Sequence, residues 1–518
     1  MKNLYRLKNI LIITGMLFFF SVSTYANWIK AEQKIQDTPN LADGKAGTPQ
    51  SKSDSLPAGV TKDWLNNLRD ENGNPVIPED PEGDALQRSI FTGAAADDQY
   101  GYSVSSAGDV NGDGFDDVII GAPNNDAAGS DAGRAYIYYG GLNMNTISDV
   151  ILTGEVAYTY FGGSVAGAGD VNGDGYSDVI VGTDVLGRAQ IFYGGVAMNS
   201  VADVTMSGEA ASIFFGNSVS GAGDLNNDGY SDVIVGAYGY SSYTGRAYVY
   251  YGGAVMNNVA DVTMTGEAVN NGFGRSVSAA GDVNGDGYPD VILGANEYSS
   301  STGRAYIYYG GAAMNNVADV TMTGEAPNNG FGFSVSEAGD VNNDGYADVN
   351  VGAYGYSSST GRAYIYYGGA VMNNVADVTL TGEAPNNGFG FSVSGVGDIN
   401  GDGYSDVVVG ALGYSSYTGK AYIYFGSAIM NNTADLTISG EAPNNRFGVS
   451  VSGAGDVNGD GYADVIVGAI YGFSSYGSAY VYTNTITGED IPDIIATGSA
   501  GSLFGNSVSS AGDVNGDG

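Results

Sequence analysis

Most of the chain repeats one pattern of short apolar stretches separated by polar turns. Stretches of this length, alternating or continuously apolar and rich in Val, Ile and Tyr, are typical of β-strands. In the copy that begins near Phe331 the pieces are, in order, the strand FGFSVSEAG, the turn DVNNDGYAD, the strand VNVGAY, the loop YSSSTG, the strand GRAYIYYGG, the turn VMNNVAD and the strand VTLTGEA. The pattern therefore predicts four short antiparallel strands, joined as one meander, in each unit.

The polar turn after the first strand recurs at a nearly constant interval. Successive copies lie 54 to 61 residues apart and begin at Asp109, Asp170, Asp224, Asp282, Asp340, Asp398, Asp456 and Asp513. A single four-stranded sheet cannot bury both of its faces, so several such sheets must pack face to face. Radial packing of these sheets is the β-propeller. We therefore predict an all-β fold, a β-propeller of four-stranded antiparallel blades.

Seven copies of this turn are complete and carry oxygen-bearing side chains at the same positions. In the copy that starts at Asp170, acidic or amide side chains occupy positions 1, 3, 5 and 9, and Gly175 at position 6 allows a sharp bend. A backbone carbonyl at position 7 completes a set of hard oxygen ligands suited to Ca²⁺. The predicted ligands are, turn by turn, Asp109, Asn111, Asp113, Phe115 and Asp117; Asp170, Asn172, Asp174, Tyr176 and Asp178; Asp224, Asn226, Asp228, Tyr230 and Asp232; Asp282, Asn284, Asp286, Tyr288 and Asp290; Asp340, Asn342, Asp344, Tyr346 and Asp348; Asp398, Asn400, Asp402, Tyr404 and Asp406; and Asp456, Asn458, Asp460, Tyr462 and Asp464. The alternative is a metal-free Asx turn, since Asp, Asn and Gly are common in turns of any kind.

The residue at position 12 distinguishes this turn from an EF-hand. An EF-hand needs a bidentate acid there and a helix on each side. Position 12 is apolar in all seven complete copies: Ile120, Val181, Val235, Leu293, Val351, Val409 and Val467. The turn therefore leads into a buried strand, and we predict calcium-binding β-hairpin loops.

Composition excludes several classes of site. The 518 residues include no Cys and no His, which excludes disulfides, zinc sites built on these residues and nucleophiles activated by His. The formal net charge is −39, and residues 101–518 hold only eight Lys or Arg, so we predict no nucleic-acid partner.

The beginning of the chain has a different composition. Basic residues precede a mostly apolar stretch from Ile10 to Val22, and Thr24-Tyr25-Ala26 offers small residues for cleavage. This pattern predicts a secretory signal peptide over residues 1–26 and a secreted, extracellular or cell-surface protein with no transmembrane segment in the mature chain. The alternative is an uncleaved anchor. Residues 27–86 read as a polar leader or linker without the repeat.

The sequences around the turn resemble a known family. FGGSVAGAGDVNGDGYSDVIVG (161–182) and YGYSVSSAGDVNGDGFDDVIIGAP (100–123) pair an FG dipeptide with GA or GAP around the acidic loop. This arrangement resembles the FG-GAP repeat of integrin α-chain propellers and of many secreted bacterial proteins. The resemblance implies a seven-bladed propeller with calcium in hairpin loops on one face. Two departures are that all seven complete loops look competent to bind calcium and that only Pro123 keeps the Pro of GAP.

The number of blades depends on the two ends of the repeat region. We assign residues 87–489 to the propeller with seven complete repeats and residues 490–518 to the start of an eighth, truncated repeat, so that the sequence reads as a fragment. RSIFTGA (88–94) resembles a fourth strand and is expected to complete the seventh blade and close the ring. An eight-bladed ring is the alternative.

The loops on the face opposite the predicted calcium loops are the candidates for ligand contact. Tyrosines recur there, at Tyr240, Tyr243, Tyr298, Tyr356, Tyr414, Tyr417 and Tyr476. We predict a non-enzymatic adhesion or ligand-binding module whose partner on that face is a protein or a neutral glycan. The alternatives are a non-catalytic propeller region of a larger extracellular enzyme, such as a polysaccharide-active hydrolase, and a structural surface spacer. A Glu that recurs in TGEA and a base that recurs in GRA or GKA are expected to pair structurally, since a catalytic pair would not be repeated in nearly every blade.

Overall fold

The computed structural model describes residues 86–484, apart from positions 143, 184, 211–212 and 472–475. Within this part of the chain, 28 strands form seven four-stranded antiparallel sheets, arranged as the blades of a ring. The predicted seven-bladed β-propeller is therefore confirmed. The predicted signal peptide, nearly all of the predicted leader and the eighth repeat lie outside the described residues.

Blades 1 to 6 each follow the chain from an inner to an outer strand, and blade 7 combines three late strands with the first one. The strands are β2 Val104–Gly108, β3 Asp117–Ala122, β4 Arg134–Tyr138 and β5 Val150–Thr153 in blade 1; β6 Phe161–Gly169, β7 Asp178–Thr183, β8 Arg188–Phe192 and β9 Val204–Ser207 in blade 2; β10 Phe215–Gly223, β11 Asp232–Ala237, β12 Arg246–Tyr250 and β13 Val262–Thr265 in blade 3; β14 Ser276–Gly281, β15 Asp290–Ala295, β16 Arg304–Tyr308 and β17 Val320–Thr323 in blade 4; β18 Val335–Gly339, β19 Asp348–Ala353, β20 Arg362–Tyr366 and β21 Val378–Thr381 in blade 5; β22 Phe389–Gly397, β23 Asp406–Ala411, β24 Lys420–Tyr424 and β25 Leu436–Ser439 in blade 6; and β26 Phe447–Gly455, β27 Asp464–Ala469, β28 Ser478–Asn484 and β1 Leu86–Thr92 in blade 7.

Burial follows the position of a strand within its blade. Every residue of β7 is buried, as expected for the continuous apolar run DVIVGT, whereas the outer strand β5 alternates buried and exposed residues. Because the strands of a meander alternate in direction, the acidic turns and the turns between third and fourth strands lie on one face of the ring. The loops between second and third strands lie on the opposite face.

The phenylalanine of each FG dipeptide anchors the core between blades. Phe273 is 1% exposed, and its ring makes edge contacts with Tyr306 and Tyr308 at centroid distances of 5.3 and 6.3 Å. Phe331 makes the same contacts with the third strand of blade 5. The FG dipeptide therefore marks a buried core position in this fold.

The first strand closes the ring. β1 pairs antiparallel with β28, from Leu86 opposite Asn484 to Thr92 opposite Ser478. Phe91 is fully buried and its ring lies 4.5 Å from that of Tyr138 in blade 1. The expectation that residues 88–94 complete the seventh blade is confirmed, and the described residues form a seven-bladed ring, not an eight-bladed one.

A ring of serine hydroxyls joins the inner strands of neighbouring blades. Each serine oxygen accepts a hydrogen bond from a valine backbone N–H of the next blade. One bond joins Val219 to Ser164 at 3.0 Å, and another, from Val104 to Ser450 at 3.2 Å, closes the circle between blades 1 and 7. The remaining acceptors are Ser103, Ser218, Ser276, Ser334 and Ser392. This ring fixes each blade relative to the next near the central axis.

Four loops on the face opposite the acidic turns contain a four-residue helical turn of unusual hand. These turns are α1 Tyr240–Tyr243, α2 Tyr298–Ser301, α3 Tyr356–Ser359 and α4 Tyr414–Tyr417. In α1, Ser241, Ser242 and Tyr243 have φ of 48°, 59° and 60°, the left-handed region that L-residues other than Gly usually avoid. The loops are therefore held in one strained conformation by the contacts around them.

One residue of the core does not fit its surroundings. Asn350 in β19 is 1% exposed, and both its amide nitrogen and its amide oxygen lack a hydrogen-bond partner in the described part of the chain. Its neighbours Val349 and Val351 pack toward blade 4, so the alternation of the strand points Asn350 toward blade 6. The equivalent residue in blade 4, Ile292, packs in the apolar core.

Replacing this amide should stabilise the propeller. We expect Asn350→Ile to raise the free energy of unfolding by about 1–3 kcal/mol, because an unpaired buried amide is costly and the isoleucine restores apolar contacts. The matched control Ile292→Asn should lower it by a similar amount. Denaturant unfolding of both variants checks this, and an unchanged or less stable Asn350→Ile would contradict a stability cost from this amide.

Candidate functional site

The acidic turns place positions 1, 3 and 5 in one hydrogen-bonded cluster. In the second turn, Asp170 Oδ1 accepts from the N–H of Gly173 at 2.7 Å and of Asp174 at 3.1 Å, and Asp170 Oδ2 accepts from the N–H of Gly175 at 2.8 Å. Asn172 Nδ2 donates to Asp174 Oδ2 at 3.0 Å. Gly175 has a φ of 91°, which makes the predicted bend possible. These hydrogen bonds join the residues at positions 1, 3 and 5 in the way that an Asx turn does.

Position 9 is held separately at the start of the second strand. Asp178 is fully buried, with Oδ2 accepting from the N–H of Val171 at 2.9 Å and Oδ1 from the N–H of Gly194 at 2.8 Å. Burial raises the pKa of Asp178 from 3.8 to about 7; the N–H donors of Gly194 and Val171 oppose this effect, and Asp174 and Asp170 add to it. This carboxylate thus connects the turn to the next hairpin.

The same arrangement recurs around the ring. Burial is the main cause that raises the pKa to about 7 at the ninth position of six turns: Asp117, Asp178, Asp232, Asp290, Asp348 and Asp406. None of the ion pairs among the described residues involves one of these six carboxylates. A buried acid without a cation is costly to ionise, so the donor set fits a bound cation.

The fit to calcium rests on donor chemistry and burial. Within the described residues no group of three or more acidic side chains is already gathered at metal-binding distance. Calcium ligation by the seven turns therefore stays a prediction. The turns are also joined to one another, because the N–H of Ser231 donates to the carbonyl of Asp170 in the preceding blade at 2.9 Å.

The recurring Glu and base on the opposite face form ion pairs between blades. Arg304 of blade 4 lies 2.8 Å from the carboxylate of Glu267, which follows the last strand of blade 3. Equivalent pairs join Arg188 to Glu155, Arg246 to Glu209, Arg362 to Glu325 and Lys420 to Glu383. The expected structural pairing is therefore present in these blades.

Four of the tyrosines expected at exposed loops pack against these bases. The guanidinium carbon of Arg304 lies 3.8 Å from the ring centroid of Tyr298, a cation–π contact. Tyr240, Tyr356 and Tyr414 stack on their own bases in the same way. These rings stabilise the loops and present less area to a ligand than the sequence suggested. Tyr243, Tyr417 and Tyr476 are more exposed, at 41, 47 and 39%.

The seventh blade shows a residue that sequence reasoning missed. Ser478 replaces the base in this blade, and Arg88 of the closing strand pairs instead with Glu441 at 3.2 Å. The sequence feature that could have revealed this is GSA (477–479) in place of GRA. The base that this blade lacks is thus supplied from the other end of the repeat region.

A cavity of about 280 Å³ opens on the same face between blades 1, 2 and 3. Its lining includes Gln99, Tyr102, Asn124, Tyr160, Gly163 and Asn217. None of these residues recurs around the ring, so the repeat pattern gave no reason to select them.

No helix among the described residues is long and apolar enough to cross a membrane.

Comparisons with known proteins agree with this geometry. The model of the FG-GAP repeat matches residues 100–138, 161–192, 215–250, 273–308, 331–366, 389–424 and 447–482, one match in each blade. The chain is 37% identical to Integrin alpha-5 of Xenopus laevis over 178 residues, 31% of this chain and 17% of that protein. It is 35% identical to Integrin alpha-V of Gallus gallus over 224 residues, 39% of this chain and 20% of that protein.

The matched region thus spans about a fifth of the length of these integrin chains. A solved structure described as "Structure of Dos1 propeller" aligns with a TM-score of 0.42 and 10% identity, over 71% of this chain and 75% of that one. That similarity is too low to support an argument. The repeat matches, the integrin alpha relatives and the seven blades together show that the chain belongs to the FG-GAP repeat family, with an integrin alpha-like propeller.

Proposed function

We propose that this protein is a calcium-binding propeller that acts outside the cell or at its surface as an adhesion or ligand-binding module. The observation that carries the calcium part is the set of six buried ninth-position carboxylates with raised pKa. Asp, Asn and carbonyl oxygens are the ligands that calcium prefers, and the residues at positions 1, 3, 5, 7 and 9 of each turn would hold it.

The size of the electrostatic cost supports a cation. Ionising a carboxylate whose pKa is about 7 instead of 3.8 costs about 4 kcal/mol. A bound cation or a proton at these positions would offset this cost, and calcium is available outside cells at concentrations that fill weak sites.

The ligand-binding part rests on the family and on the geometry of the ring. The relatives are integrin alpha chains, and the predicted signal peptide fits an extracellular location. The face opposite the acidic turns carries exposed tyrosines and a cavity, features that suit a protein or neutral glycan partner. Calcium-dependent retention of the protein on cells or on protein and glycan arrays tests this role, and no retention on any of them would contradict it.

Removing one acidic ligand should remove one calcium. We expect Asp344→Ala to lower the calcium stoichiometry measured by calorimetry from about seven to about six, because the fifth turn loses a carboxylate from its ligand set. The matched control is Asp377→Ala in the same blade, whose carboxylate accepts from the N–H of Tyr367 at 2.8 Å outside the turn. Equal stoichiometry in wild type and Asp344→Ala would mean that the fifth turn binds no calcium.

A further inference from the structure

The cavity between blades 1, 2 and 3 exists because one position of the repeat is not filled there. The residue two places after the aromatic residue of the FG dipeptide is Arg275 in blade 4, Phe333 in blade 5 and Phe391 in blade 6. In these blades large side chains occupy the space: the rings of Phe333 and Phe391 lie 4.8 Å apart, and Arg275 lies 5.5 Å from the ring of Phe333. In blade 2 the same position is Gly163, which lines the cavity.

The backbone does not require glycine at position 163. The φ of Gly163 is outside the left-handed region, unlike that of its neighbour Gly162 at 86°. A Cβ built on Gly163 would come within 3.4 Å of one atom only, the carbonyl oxygen of Tyr160 at 3.2 Å. The missing side chain therefore makes room and is not needed for a turn or a close backbone approach.

Two other residues of the lining keep an unfavourable backbone conformation. Gln99 and Tyr160 have φ of 54° and 53°, as do Phe214 and Arg446 at the same position of blades 3 and 7, whereas this position is glycine in blades 4, 5 and 6, with φ of 63° or 64°. A side chain in this conformation costs about 1–2 kcal/mol, which glycine avoids. Such strain is often kept where the side chain has a role: Phe214 stacks on Tyr238 and Arg446 lies over the ring of Tyr471, whereas Gln99 and Tyr160 line the cavity.

The chemistry of the lining selects a class of ligand. Amide groups of Gln99, Asn124 and Asn217 and phenol rings of Tyr102 and Tyr160 surround the cavity, and none of its lining residues is charged. A charged ligand would find no counter-ion in this lining, and an apolar ligand would offer no hydrogen-bond partner to the amides of Gln99 and Asn124. A neutral polyhydroxylated molecule satisfies both amides and ring faces.

We propose that this cavity binds one residue of a neutral sugar. The volume of about 280 Å³ lies below the range of about 300–1,000 Å³ that is usual for drug-sized ligands, so it has room for a single sugar ring. The inference rests on the proposed ligand-binding role and names the ligand class and its site. It does not depend on calcium as a sugar ligand, because the cavity lies on the face opposite the acidic turns.

The test uses the full-length, calcium-supplemented protein and saturation-transfer NMR with four probes: glucose, galactose, mannose and N-acetylglucosamine. We expect at least one probe to bind the wild type. Gly163→Phe, which places at this position the residue found in blades 5 and 6, should abolish the signal while leaving the melting temperature within a few degrees of that of the wild type. Unchanged binding in a folded Gly163→Phe would overturn the proposal, as would no binding of any probe by the wild type.

A second pair of variants distinguishes a direct role of Tyr160 in sugar binding from a general effect of changing its loop. Tyr160→Gly should weaken sugar binding at least about tenfold and keep or raise the melting temperature, because it relieves the strain. Tyr158→Gly is the matched control: Tyr158 has a φ of 61° and is 58% exposed, but it does not line the cavity. Equal weakening by both variants would assign the effect to the loop and overturn the role of Tyr160.

Failure here can be told apart from failure of the proposed function. If no sugar binds while the protein still shows calcium-dependent retention on cells or on protein arrays, the adhesion role stands and the sugar site is wrong. If neither is observed, the ligand-binding role itself is contradicted.

Discussion

Removal of calcium is expected to lower the melting temperature of the propeller by on the order of 20 °C near neutral pH. Each site filled at a hundredfold excess over its Kd contributes about 2.7 kcal/mol, and the seven turns would add their contributions. Without the cation, the buried ninth-position carboxylates must be ionised at a cost when the pH is above about 7.

The pH dependence of the calcium-free protein should have a defined sign. The pKa of these carboxyls is raised from 3.8 to about 7 in the folded state, so the folded protein binds more protons than the unfolded chain between these values. The stability that protonation provides is complete below about pH 4 and is lost as the pH rises through about 7. The melting temperature of the calcium-free protein should therefore rise as the pH is lowered from about 7.5 to about 5.

The calcium-loaded protein is the control for this prediction. Burial also raises the pKa of Asp98 and Glu337, which lie outside the acidic turns and act in the same direction with or without calcium. Asp116 belongs with the turns, because Asp456 and Asp109 add to the effect of burial on its pKa. The difference in pH dependence between the calcium-free and the calcium-loaded protein therefore reports the contribution of the acidic turns. Differential scanning fluorimetry measures the melting temperature at each pH, in metal-depleted buffer and in excess calcium. Equal melting temperatures in both buffers near neutral pH would refute the role of calcium in stability.

Truncation of the buried phenylalanine in the closing strand should also have a large effect. We expect Phe91→Ala to lower the free energy of unfolding by about 3–5 kcal/mol, because it leaves a cavity at the contact with Tyr138 between blades 7 and 1. The matched control is Thr92→Ala, in the same strand but with an exposed side chain. Denaturant unfolding checks both, and a loss below about 1 kcal/mol for Phe91→Ala would show that the closing strand contributes little to the ring.

Features that repeat in every blade could be predicted from the sequence. The continuous apolar run of β7 predicted a fully buried strand, and the likeness of residues 88–94 to a fourth strand predicted the closure by β1. Both predictions rest on local patterns that recur in the other copies of the repeat. Positions 1, 3 and 5 of the acidic turn are joined by hydrogen bonds, whereas calcium ligation by these turns stays a prediction.

Features that depend on contacts between blades could not be predicted so well. The stacking of Tyr298 on Arg304 accompanies the left-handed turn of α2, in which three successive non-Gly residues adopt a conformation that L-residues usually avoid. The pair of Arg88 and Glu441 joins residues from opposite ends of the repeat region. The cavity at Gly163 depends on a residue that departs from the repeat, whereas the sequence predictions rest on features that the copies share.

The closing pair of β1 and β28 determines the order in which the molecule can be completed. On a ribosome or during export β1 emerges first, yet its partner, from Ser478 to Asn484, emerges last among the described strands. Closing so long a loop costs only about 0.6 kcal/mol more for each doubling of its length, so the delay is mainly kinetic. Once β28 has formed, its edge offers unpaired N–H and C=O groups to other chains until β1 pairs with it. The newly made protein is therefore most prone to aggregation just before the ring closes, and chaperone protection at that stage would matter most.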